Sequence, residues 1–232
     1  MYAREVEGRA LNLAVSGLLW NRSLVMRDEE TGTLWSHLLG QGMKGALKDA
    51  KLEIIPSQMT DWKTWVTQYP ETTVIKLSRT SQAYQLDFYQ DPALFVLGIR
   101  VGLRTKAWTF DRLASDRVVN DEVGDLPVVL FFDPARLTAV AYERRLGEET
   151  IEFRIHEGRI IDSKEGASWN GLRGESIVGP AAIRRLTPIP AIVSGLVPWV
   201  TFHPDTEGLS EEVIAHAKAN DYLRPGRRGP RR

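Results

Sequence analysis

The sequence predicts a mainly β protein, an internally duplicated barrel-like or sandwich β domain with short helices. Three observations predict it. The chain matches itself at a fixed offset, its extended apolar runs are short and punctuated by Gly, Pro and Asp, and alternating βαβ units are absent.

The repeat carries most weight. At an offset of 134, residues 28–72 align without a gap on residues 162–206, with 14 identities in 45 positions. Asp28, Gly32, Trp35, Leu38, Gly40 and Gly45 meet Asp162, Gly166, Trp169, Leu172, Gly174 and Gly179. Leu52, Ile55 and Pro56 meet Leu186, Ile189 and Pro190, and Trp65-Val66-Thr67 meets Trp199-Val200-Thr201. Two copies are too few for a solenoid and suit a pseudo-twofold pair burying a shared apolar face. Upstream the best offset becomes 140, and the first copy carries about six extra residues around Ser16–Asn21. Pro127–Phe132 then has no counterpart in the first copy, so either the first lobe lacks a strand, leaving an unpaired edge or an open apolar slot, or the chain starts later than its ancestral gene product. Four segments follow: a first repeat lobe over 1–78, a central hairpin module over 79–126, a second lobe over 127–208, and a helix with a basic tail over 209–232.

In chain order, Ser23–Arg27 and Thr33–Ser36 read as strands around the turn Asp28–Gly32, where Gly32 supplies a positive φ and Asp28 caps backbone amides. Thr60 is the expected N-cap of a helix ending at Pro70. Its counterpart, Ser194–His203, contains Gly195 and Pro198 and is expected to be shorter or distorted. Val96–Gly102 and Arg104–Trp108 form a hairpin, Phe110–Ala114 a helical turn, and Arg117–Val123 and Pro127–Phe132 strands. Gln82–Pro92 reads as a surface loop, and Ser210 caps a helix over Glu211–Ala219.

Composition excludes several classes. The chain has no cysteine, hence no disulfide and no thiolate chemistry. Its formal charge is zero, but five arginines fall in the last nine positions, leaving a mildly acidic body of 25 basic and 30 acidic residues. Specific nucleic-acid binding has no electrostatic footprint here. No apolar run approaches a membrane span.

The strings Val15-Ser16-Gly17-Leu18-Leu19-Trp20-Asn21-Arg22-Ser23-Leu24-Val25-Met26-Arg27-Asp28, Thr31-Gly32-Thr33-Leu34-Trp35 and Trp199-Val200-Thr201-Phe202-His203-Pro204-Asp205-Thr206 resemble one bacterial and archaeal family, domain of unknown function 3179. Val96–Val101 fits it too, so the resemblance spans about residues 3 to 207. It implies a shared fold and an extracytoplasmic or lipid-anchored setting, and no activity. Relatives carry a Cys-Pro motif where this chain has Phe132-Asp133-Pro134, so no thiol role carries over. The resemblance also implies a first unit that starts before Met1.

Asp28 and Asp162 support two readings: paired catalytic carboxylates facing each other across the repeat axis, as in glycoside hydrolysis, or caps of matched turns, which needs fewer assumptions. For ligand binding, Trp20, Asn21, Trp35, Trp169, Asn170 and Arg173 suit a groove for a small molecule, sugar or peptide, with His203 and Asp205 beside them. Core packing is the rival reading for Trp35 and Trp169. No histidine pair stands at ligand spacing, and neither a metal nor a cofactor is assigned. The leading expectation is a ligand-binding or scaffold domain with a cleft between the lobes. A glycan hydrolase using the paired acids and a structural domain forming homo-oligomers through the incomplete lobe are the alternatives.

Overall fold

A computed structural model describes residues 1–74, 91–177 and 184–220. Unit one opens with a hairpin, β1 (Glu5–Val6) and β2 (Arg9–Ala10), followed by an antiparallel meander of β3 (Leu13–Trp20), β4 (Ser23–Asp28), β5 (Leu34–Ser36) and β6 (Gln41–Lys44). Helix α1 (Trp62–Gln68) closes it. Its N-cap is Asp61, not Thr60, because the Asp61 carboxylate accepts the Thr64 amide at 2.9 Å.

The middle of the chain forms β7 (Phe95–Val101), β8 (Arg104–Thr109), α2 (Phe110–Asp116), β9 (Val118–Val123), β10 (Leu126–Asp133) and β11 (Thr138–Glu143). Unit two then repeats unit one: hairpin β12 (Arg145–Leu146) and β13 (Glu149–Thr150), and meander β14 (Phe153–His156), β15 (Arg159–Asp162), β16 (Ser168–Asn170) and β17 (Glu175–Ser176). It ends with β18 (Thr187–Pro188), β19 (Ala191–Gly195) and α3 (Leu196–Phe202), before a last helix, α4 (Glu211–Asn220). Most of the Gln82–Pro92 loop and the arginine tail lie outside the described residues.

The repeat is structural down to single bonds. Helices α1 and α3 differ by 134 residues at both ends. Trp65 Nε1 donates to Thr72 Oγ1 at 3.0 Å, and Trp199 Nε1 to Thr206 Oγ1 at the same distance. At the 140 offset, Tyr2 matches Tyr142: their hydroxyls donate to the Leu38 and Leu172 carbonyls, and their rings occupy the space a side chain at Gly40 or Gly174 would need. Helix α3 is neither shorter nor distorted. Gly195 is its N-cap, and Pro198 falls in the first turn, where an amide has no intrahelical partner to lose.

Two sheets, ordered β18-β11-β10-β9 and β19-β7-β8, enclose the main core. Strands β18 and β19 follow one another through Ile189 and Pro190, so one segment pairs first with β11 and then with β7. The opposite seam, between β8 and β9, is closed by side chains: Asp121 accepts from Lys106 Nζ at 2.6 Å and Trp108 Nε1 at 3.0 Å. The result is barrel-like. Leu97, Ile99 and Trp108 from one side meet Val128, Leu130 and Phe132 from the other, and Phe110 and Leu113 of α2 pack into the same cluster.

The units exchange their C-terminal segments. Helix α1 of unit one docks on unit two, where Asn170 Nδ2 donates to Gln68 Oε1 at 2.7 Å and the Arg173 guanidinium lies 5.4 Å from the Tyr69 ring centroid. Reciprocally, Leu196 and Trp199 of α3 share a buried cluster with Leu38 of unit one. Each unit therefore completes the other.

Candidate functional site

Asp28 ends β4 and is fully buried. Its Oδ1 accepts the Thr31 amide at 2.5 Å and its Oδ2 the Trp35 indole at 2.8 Å. Asp162 repeats this with Glu165 and Trp169, at 2.6 and 3.0 Å, and adds Arg184 Nη2 at 2.9 Å. Burial opposes ionisation of both, yet these donors outweigh it and hold each carboxyl below the usual range. The geometry lends the paired-acid expectation no support. The two groups sit in separate clusters, are saturated inside their own turns, and have pKa values displaced the wrong way for a general acid.

The aromatic groove gains no support either. Trp35 and Trp169 are core residues, 0 % and 3 % exposed, because the indole N–H must reach the buried carboxylate. Asn170 and Arg173 are engaged with α1. Trp20 is partly exposed, its ring edge-on to Phe202 with centroids 4.8 Å apart, and Asn21 takes a positive φ in the β3–β4 turn. Asp205 is exposed. Eight ligand candidates do not converge on one surface. Among the described residues no group of three or more metal-ligating side chains does either.

His203 is the C-cap of α3, with its ring 4.3 Å from Trp199. Tyr69, the matched C-cap of α1, stacks on Trp65 at 4.4 Å with nearly the same backbone angles. The repeat thus preserves an aromatic ring over the tryptophan, not a ligand. Burial, helped by the Arg100 charge, pushes the His203 imidazole down to about 4. The unfolded chain takes up this proton near 6.5 and the folded chain does not, so stability is full above that pH and declines as pH falls toward 4. We expect a loss on the order of 1–2 kcal/mol over that interval, allowing for partial exposure. Urea unfolding of His203→Phe from pH 7 to 4.5 checks this, since phenylalanine keeps the stack and the variant should lose most of the slope.

One cleft does lie between the units. It encloses about 190 Å³ and is bounded by Ser57-Gln58-Met59 of unit one and by Ala191-Ile192-Val193 of unit two. These segments are matched at the 134 offset, so the cleft straddles the repeat relation. Tyr2, His37 and Ile54 close one side, and Leu97 and Ala139 of the barrel the other. Burial raises the Tyr2 phenol to about 12 against the opposing charge of Arg100, so its hydroxyl stays a neutral donor. Gln58 donates through Nε2 to the Leu172 carbonyl at 2.7 Å and to the Tyr142 hydroxyl at 3.2 Å, while its buried Oε1 has no hydrogen-bond partner. Sequence reasoning missed these residues because the matched positions share no identity; only the continuing register points to them. A wider depression beside Lys106, Asp121, Arg144 and Glu207 has its two buried cations already paired, Lys106 with Asp121 and Arg144 with Glu152 at 2.6 Å each.

Among known proteins, the chain matches a family model described as "Protein of unknown function (DUF3179)" over residues 1–95 and 90–206. No curated protein matches, and no solved structure does. No helix among the described residues is long and apolar enough to cross a membrane.

Proposed function

The chain belongs to the DUF3179 family, and from that premise we propose that it is a ligand-binding module whose ligand occupies the cleft between the two units. The orphaned Gln58 Oε1 carries the reading. A buried acceptor left unpaired costs about 1–3 kcal/mol, which a ligand N–H or O–H would recover once a small shift of the Gln58 side chain opens Oε1 to the cleft. The walls supply Ile54, Leu97, Ile192 and Val193, the apolar surround of a small-molecule site with few polar groups. At about 190 Å³ the cleft takes a compact molecule, or one end of a longer one, with an apolar body and a single donor. A polysaccharide chain does not suit it.

The test uses two probes of similar size, hexanamide and 2-heptanone, titrated while amide and side-chain NMR shifts are followed. Hexanamide should perturb Tyr2, Gln58 and Ile192 and bind about tenfold or more tighter than the ketone, which offers no donor. The preference should vanish in Gln58→Met. Equal affinity for both probes, or shifts scattered away from the cleft, would rule the reading out.

A further inference from the structure

The two matched walls of the cleft are held in opposite ways. In unit two, Ala191-Ile192-Val193 belong to β19, which pairs with β7 along its whole length and leads straight into α3. Helix α3 then sets Leu196 and Trp199 into a buried apolar cluster, with Val197, Val200 and Phe202 packed beside them. That wall is fixed. In unit one, Ser57-Gln58-Met59 lead into α1, and among the described residues no side chain of α1 enters an apolar core cluster.

Polar contacts hold the segment from Ser57 to Tyr69 on unit two. Gln58 donates to the Leu172 carbonyl and the Tyr142 hydroxyl, and the Thr138 hydroxyl donates to that of Thr60 at 2.9 Å. Asp61 lies 3.5 Å from the Arg136 guanidinium in a half-exposed pair. Gln68 accepts from Asn170 through its side chain and from Arg173 through its backbone carbonyl at 3.4 Å, and the Arg173 guanidinium faces the Tyr69 ring. Half-exposed polar contacts exchange for water at little cost, whereas releasing Trp199 exposes a large apolar surface. The helix also moves as one piece with its C-terminal turn, because the Trp65 indole is bonded to Thr72 and stacked on Tyr69.

Gln58 couples that motion to the ligand. With the segment down, its Oε1 is buried without a hydrogen-bond partner; with the segment lifted, water reaches it. Closure is therefore penalised over an empty cleft and relieved once a ligand donor meets Oε1. We propose that Ser57–Tyr69 is a gate, lifting to admit the ligand of the cleft and drawn shut by it. The gate rests on the ligand-binding reading of the cleft, and specifies which wall moves and why it closes.

Hydrogen exchange reads the gate in the native chain. The Tyr69 and His203 amides are matched, bonded to the Trp65 and Trp199 carbonyls at 2.9 and 2.8 Å. Corrected for intrinsic rates, Tyr69 should exchange about a hundredfold faster than His203, and saturating hexanamide should slow it about tenfold. A lock is available at Thr60 and Thr138. The chain has no cysteine, so Thr60→Cys with Thr138→Cys places its only two thiols where those hydroxyls meet. Oxidised, this variant should take up and release hexanamide about tenfold more slowly than the same protein reduced. A Tyr69 amide as protected as that of His203, or unmoved by hexanamide, overturns the gate and leaves the cleft standing, as do equal rates in the oxidised and reduced forms. Hexanamide that fails to bind the native chain overturns the cleft and the gate together.

Discussion

Trp199→Ala is expected to cost about 3–5 kcal/mol of unfolding free energy, the range for deleting a fully buried aromatic side chain. The matched change, Trp65→Ala, should cost only about 1–2 kcal/mol. Both tryptophans stand at the same helix position, carry a matched aromatic cap, Tyr69 or His203, and donate to a matched threonine, Thr72 or Thr206. What differs is where the exchanged helix lands. Helix α3 settles on Leu38, Val96 and Ala107, with α4 above it, and Trp199 is 0 % exposed. Helix α1 rests on the polar Asn170–Arg173 corner and buries no residue completely. Gly98 marks the tightness of the first contact: a Cβ there would overlap the Trp199 ring. Gly98→Ala should therefore be costly as well, about 2–3 kcal/mol, by overpacking an interior strand. Urea denaturation of the three variants measures the order. If Trp65→Ala and Trp199→Ala cost the same, the exchange is not the asymmetric anchor described above.

The duplication was legible because turns and close approaches select few residues. Gly32 and Gly166 take positive φ values that other residues resist, and Asp28 and Asp162 are fixed by the indole each must receive. The change of offset upstream was legible too, and Tyr2, matched to Tyr142, shows that the 140 register is real. Three things were not legible. Register says which segments are alike but not which unit a segment packs on, so the exchange of α1 and α3 was invisible. The β8–β9 seam is closed by Asp121 side-chain bonds that no strand pattern encodes. The cleft is bounded by matched positions whose chemistry diverged, Gln58 against Ile192 and Ser57 against Ala191. Tryptophan and aspartate drew attention as binding and catalytic types, yet here they hold each other in the core. Pairing an acid with an indole seven residues on satisfies two buried polar groups at once, and it leaves neither free for a substrate.

That lock sets the remaining large effect. Asp28→Asn and Asp162→Asn should each cost about 2–3 kcal/mol at neutral pH, because an amide oxygen can serve only one of the two donors and its NH2 group faces the other. In unit two, Arg184 can turn to Glu165, already 3.2 Å away, so the extra cation should not make Asp162→Asn much the worse. The sites lie in separate clusters, and the double variant should be additive. The pH dependence identifies the cause. Each carboxyl ionises more readily in the folded chain than at its ordinary 3.8, so its contribution is complete above that pH. It is lost as pH falls through the lower folded value, where the aspartate protonates and becomes an acceptor no better than asparagine. The gap between the native chain and either variant should thus close on acidification below about 4. Chemical denaturation at pH 7, 4 and 3 measures it, and a gap that stays constant across that range would mean that shape rather than charge holds the indole in place.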